Sequence, residues 1–147
     1  MGPGHMDRHC ARGFTLMELM AVVAIVAILS SMALSSYSQH VRRSERIAAR
    51  AVLLEAASWM ERRFSVQHSY LGADGQIPVL PAGLDQSPRS GTAKYVISLA
   101  TGQTQATSYE LRATPIRADA CGALTLDHTG ARGLIGNTAP LAECWGR

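Results

Sequence analysis

The sequence predicts an α+β chain, one long helix followed by a small antiparallel sheet, and three observations carry that expectation. An apolar run from Phe14 to Leu34 contains neither proline nor glycine. Residues 38–67 keep the composition of a helix but become amphipathic. After a stretch rich in proline and glycine, short runs alternate with a period of two, the signature of half-buried strands. The 147 residues, 15.7 kDa in all, suffice for one domain. Hydrophobic residues make up 47% and charged ones only 17%, and the shortage of charge falls early in the chain. That pattern speaks against an ordinary soluble enzyme and against a disordered protein. With no second apolar run of that length, a multi-span transporter is excluded as well.

The apolar run reads FTLMELMAVVAIVAILSSMAL. As a helix at ~1.5 Å per residue it covers about 31 Å, enough to cross a hydrocarbon core. Asp7, Arg8, His9 and Arg12 precede it and Arg42 and Arg43 follow it, so the positive-inside rule gives little orientation. The cysteines orient it better. Cys10 lies before the run, while Cys121 and Cys144 lie near the C-terminus. This fits one disulfide in an oxidising compartment plus a separate thiol, with the C-terminal part outside the cytosol. No A-x-A cleavage site follows the run, which favours its retention.

Glu18 is the only ionisable side chain in the run. A carboxylate near the centre of a membrane helix costs about 2.5–3.5 kcal/mol on insertion scales, so a partner is expected. Cutting the chain after Gly13 would create one. Phe14 would then carry an α-amino group four residues before Glu18, on the same helix face. That cation could pair with its own glutamate or with that of a neighbouring subunit.

From Ser38 to about Gln67 the chain is rich in Ala, Leu, Glu and Arg, all good helix formers. Leu53, Ala56, Met60 and Phe64 recur at three- and four-residue spacing, a stripe that needs a sheet to cover it. Arg42, Arg43, Arg46, Arg50, Arg62 and Arg63 spread over the rest of the helix. One continuous helix of about 50 residues and about 75 Å is expected. Residues 68–93 hold Pro78, Pro81 and Pro88 with four glycines and read as a loop. Strand signals follow. Tyr95, Ile97 and Leu99 alternate with Val96 and Ser98, and Tyr109, Leu111 and Ala113 alternate with Glu110 and Arg112. The segment 101–106 reads as a hairpin loop. A third run, 123–127, turns at His128-Thr129-Gly130 toward 132–135. Three or four antiparallel strands on the helix stripe give a small head.

Chemistry-bearing motifs are missing. His40, His68 and His128 stand apart, and neither metal-ligand spacing nor a C-x-x-C pair occurs. Asp119 and Asp127 on separate strands are weak support for an ion site. The sequence has no phosphate loop, nucleophile elbow or H-E-x-x-H. Neither an enzyme nor a cofactor is expected.

Gly13-Phe14-Thr15-Leu16-Met17-Glu18-Leu19, followed by an unbroken apolar helix, resembles the leader-cleavage motif of type IV pilins and related pseudopilins. The likeness covers residues 13–66 strongly and 94–145 moderately, and the C-terminal half looks most like the PilE-type group, which includes minor pilins. It implies a leader, residues 1–13, removed by a prepilin peptidase that cuts after Gly13 and methylates the Phe14 amine. It also implies that Glu18 neutralises the amine of an adjacent subunit during assembly. Many pilins have a glycine and a proline within this helix; the matching positions here are Ala27 and Ser35, so the residues that permit local melting are absent. The fragment Gly2–Met6 resembles an expression scar, with Met6 as the alternative start.

By that resemblance the chain divides into leader 1–13, transmembrane and assembly helix 14–37, amphipathic half 38–67, αβ-loop 68–93, and sheet with its Cys121–Cys144 disulfide region 94–147. The expected function is that of a structural subunit, PilE-type or minor, polymerising into a type IV pilus for adhesion, twitching motility or DNA uptake. Its expected partners are other pilin subunits, the peptidase, the inner membrane and its assembly machinery. The expected location is the inner membrane and then the extracellular pilus of a Gram-negative bacterium. A DNA receptor for natural transformation and a type II secretion pseudopilin are the alternatives, and the latter commonly lacks this disulfide. The helix arginines alternate with Glu45, Glu55 and Glu61 and read as a solvated or interface face. Arg89, Lys94, Arg112, Arg117 and Arg132 on the head are the better DNA candidates.

Overall fold

The computed structural model describes residues 14–146, apart from the side chains of residues 32–36. The leader with its Gly13 and Cys10 therefore lies outside the described residues, as do the side chain of Ser35 and residue Arg147. Helix α1 covers Leu16–Gln67 and is followed by β1 (Gln86–Ser87), β2 (Tyr95–Leu99), β3 (Glu110–Pro115), β4 (Ala123–Asp127), β5 (Arg132–Ile135) and a short helix α2 (Leu141–Trp145). Between Gln39 and His40 the chain divides into two compact units.

In the first unit, Thr15 starts the helix. The Glu18 N–H donates to the Thr15 carbonyl (3.1 Å) and to its hydroxyl oxygen (3.3 Å), satisfying a donor that has no partner within the helix. Leu16, Met17, Leu19, Met20, Val22, Val23, Ile25, Val26, Ile28 and Leu29 are all exposed. So much bare apolar surface calls for lipid or another chain. Among the described residues no helix is long and apolar enough to cross a membrane. The run expected to do so continues into residues 32–36, whose side chains are outside that description.

The second unit is an antiparallel sheet, ordered β1-β2-β3-β4-β5, with the helix stripe on one face. Ala49, Leu53, Ala56 and Met60 are fully buried and Val52 nearly so, recurring every three or four residues. They meet Tyr95, Ile97 and Leu99 of β2, Leu111 and Ala113 of β3, and Leu124 and Leu126 of β4. Each large aliphatic so buried contributes about 1.5–3 kcal/mol. The strand alternation places Val96 and Ser98 on the opposite, solvent-facing side.

The head is richer than the expected three or four strands. A fifth, β1, lies inside the 68–93 segment. Main-chain bonds hold it beside β2: the Lys94 N–H donates to the Ser87 carbonyl (2.7 Å), and the Ile97 N–H to the carbonyl of Asp85, just before the strand (2.8 Å). Pro88 has no N–H, so the strand stops there after two residues. Helix α2 was also not expected. It follows Pro140 and buries Cys144 and Trp145.

Glu61 ties helix, loop and sheet together. The Tyr70 hydroxyl donates to it at 3.1 Å and the Tyr109 hydroxyl at 3.0 Å. Phe64 stacks on Tyr70 at 4.5 Å, and Tyr70 meets Tyr109 edge-on at 4.7 Å. Burial, and then the Glu61 bond and charge, push both phenols above their ordinary pKa. The β4–β5 turn closes on Asp127, whose Oδ1 accepts from the Thr129 hydroxyl (2.6 Å), Thr129 N–H (2.8 Å) and Ala131 N–H (2.9 Å). Chiefly through the Thr129 hydroxyl, these bonds hold its carboxyl below the usual range despite an opposing desolvation cost.

Candidate functional site

Phe14 and Glu18 stand at the start of α1. Phe14 is 76% exposed, and Glu18 is the acid of the first helical turn. There the positive end of the helix dipole favours a carboxylate. Thr15 and Glu18 have the T-x-x-E spacing of a capping box, a sequence signal that would have identified Thr15 as the cap.

Cys121 and Cys144 are joined by a disulfide, with Cα atoms 5.5 Å apart and both residues buried. Both arms of the loop they close are fastened to α1 by arginines spaced four residues apart, which therefore lie on one edge of the helix. Arg42 Nη1 donates to the Ala118 carbonyl at 2.7 Å. Arg46 Nε reaches Asp119 Oδ2 at 3.3 Å, with side chains only 14% and 6% exposed. Arg50 donates to the Trp145 carbonyl.

Asp119 is fully engaged. Its Oδ2 also faces the Tyr95 hydroxyl at 3.4 Å, and its Oδ1 accepts from the Cys121 N–H at 2.8 Å. Burial first, and then the Asp119 charge, push the Tyr95 phenol up to about 12. Among the described residues no acidic, histidine or cysteine cluster could hold a metal ion. On the other arm, Trp145 Nε1 donates to the Gly133 carbonyl at 3.0 Å, and Arg132 lies over its ring at 5.3 Å.

The five head cations separate into groups. Arg89 is paired with Glu55, and Arg112 with Glu110 at 2.7 Å. Lys94 and Arg117 have no carboxylate partner among the described residues. They lie at one end of the sheet, since Tyr95 pairs with Pro115 and the Ile116 N–H donates to the Lys94 carbonyl at 2.9 Å. Arg42 reaches the same corner through Ala118. Arg132 stands beside Arg50, whose guanidinium is held below its ordinary value by burial and then by repulsion from Arg132, Arg43 and Arg46. Sequence reasoning set the helix arginines aside. Their four-residue spacing was visible, but the carbonyls they would reach were not.

Comparison with known proteins supplies the context. Residues 35–125, more than half of the chain, match the family model "Type IV minor pilin ComP, DNA uptake sequence receptor". Residues 8–34 match the prokaryotic N-terminal methylation motif. Among solved structures, the non-core minor pilin PilV of Neisseria meningitidis is similar in fold. The identity is 21% and the TM-score 0.52, over 69% of this chain and 94% of that one. A type IV pilin from Shewanella oneidensis is 25% identical over 67% of this chain and 97% of that one, with a TM-score of 0.44. No curated protein matches significantly.

Proposed function

We propose that this chain, which belongs to the ComP family of type IV minor pilins, is a pilus subunit whose head holds DNA. Minor pilins assemble with other pilin subunits, and the families matched are structural pilins rather than enzymes. The family's description as a DNA uptake sequence receptor supports carrying that role to this chain. The observation that carries it is the set of cations with no carboxylate partner among the described residues: Lys94 and Arg117 at one corner, and Arg132 and Arg43 each near Arg50. Such charges contact phosphates and release counterions.

On this reading a prepilin peptidase cuts between Gly13 and Phe14 and methylates the new amine. The run from Phe14 to Leu34 then holds the subunit in the inner membrane of a Gram-negative cell. Glu18 pairs with a neighbour's amine as the assembly machinery draws the subunit into the extracellular filament. The boundaries follow the sequence: anchor 14–37, amphipathic half 38–67, αβ-loop 68–93 and sheet 94–147. The chain has no catalytic role.

The test is duplex DNA binding by the full chain in mild detergent over a salt series. The expected affinity falls steeply with salt. Arg117→Gln and Arg132→Gln should each weaken binding and reduce the logarithmic salt slope by about one, as for the loss of one phosphate contact. Arg89→Gln, already neutralised by Glu55, should leave the slope unchanged. Binding that ignores both salt and these substitutions would refute the DNA role.

A further inference from the structure

One corner of the head gathers more positive charge than its own contacts neutralise. Arg42 spends one donor on an uncharged carbonyl, that of Ala118. Arg117 is exposed and Lys94 is half-buried. Among the described residues none of these three has an ion pair. The carboxylates nearby are Asp119, already engaged by Arg46, and Glu45, which acts with it on the Tyr95 phenol. Charge of one sign is thus left facing outward.

Its place in the chain says what it meets first. Arg42 stands eight positions after Leu34, where the apolar run ends. That stretch spans about 12 Å as a helix and at most about 28 Å fully extended. The chain alone therefore limits how far Arg42 can stand from the end of the run. Tyr37, in between and 70% exposed, is a residue type favoured at the membrane–water interface.

We propose that Arg42, Lys94 and Arg117 form a collar that rests on anionic phospholipid headgroups while the subunit is in the membrane, before assembly. The inference rests on the membrane-anchor reading above. Each such cation near an anionic surface strengthens the attraction about fivefold, and the attraction decays within a Debye length. Lipid and DNA then occupy Lys94 and Arg117 in succession, and extraction from the bilayer frees them.

The test reconstitutes the full chain in phosphatidylcholine vesicles with none or roughly 30% phosphatidylglycerol, follows flotation, and maps amide hydrogen exchange. With anionic lipid, exchange across residues 116–119 should slow about fivefold or more, whereas the 128–130 turn should not change. Protection should vanish at roughly 0.5 M salt, where screening shortens the reach of the charges. Lys94→Gln combined with Arg117→Gln should remove it while flotation stays normal, since neither side chain has a structural partner among the described residues. Equal exchange in both vesicles, with the chain afloat, would overturn the collar alone. A chain that fails to float would overturn the anchor reading and the collar together.

Discussion

Replacing Arg46 by alanine removes the cation that faces a nearly buried carboxylate. Breaking a buried ion pair from one side costs about 3–5 kcal/mol in general. Here the contact is a single 3.3 Å bond, and Asp119 keeps the Cys121 N–H at 2.8 Å and the Tyr95 hydroxyl at 3.4 Å. The expected loss is therefore smaller, about 2–3 kcal/mol. At a urea slope of about 2 kcal/mol per molar, the midpoint falls by about 1–1.5 M. Both tryptophans, Trp59 and Trp145, lie in the head, so their fluorescence follows its unfolding in the full chain. Tyr95 provides an independent readout with a sign. Arg46 pulls its pKa down, whereas Asp119 pushes it up as the largest charge effect after burial. Ultraviolet titration of Arg46→Ala should therefore show Tyr95 ionising later than in the parent. Asp119→Asn should show it ionising earlier, though still above 10 because burial remains. An unchanged midpoint in Arg46→Ala, or a shift of the same sign in both variants, would refute the reasoning.

Three further outcomes are expected. Gly122→Ala should destabilise by at least about 3 kcal/mol, because φ is +59° and a Cβ would collide with the Ile135 carbonyl, whereas Gly130→Ala, at φ +80° in open space, should cost only about 1–2 kcal/mol; urea midpoints compare the two. Above pH 10 the unfolded Tyr95 phenol ionises while the folded one keeps its proton to about 12. Stability should accordingly be full below pH 10 and fall by about 2–3 kcal/mol by pH 12, as measured in buffered urea titrations. Glu18→Ala should leave the protein in the membrane fraction and absent from sheared filaments, and normal incorporation would remove Glu18 from the assembly reading.

The helix and the sheet faces were legible because each rests on local periodicity. Leu53, Ala56 and Met60 repeat at helical spacing and do face the sheet, and Tyr95, Ile97 and Leu99 alternate and are buried. β1 was not legible. Two residues have no periodicity, and Gln86 and Ser87 are held by main-chain bonds to residues around Lys94. Helix α2 is a single turn, its burial set by the disulfide and by Trp145. At the site, Phe14 and Glu18 stood out because a carboxylate inside an apolar run conflicts with its surroundings. The five head cations could be named but not sorted. Whether Arg89 meets Glu55, or Arg117 stands free beside Lys94, depends on strand register and on contacts across tens of residues.

Most of the donors that fasten the disulfide loop end on main-chain oxygens. Arg42 reaches the carbonyl of Ala118, Arg50 that of Trp145, and the Trp145 indole that of Gly133. Every residue type offers that acceptor, so the bonds from Arg42 and Arg50 are indifferent to the side chains at 118 and 145, whereas Asp119 and the Trp145 indole enter by their own chemistry. Drift in the lettering of this margin can therefore alter what the filament presents to its surroundings while the margin keeps its position on the helix.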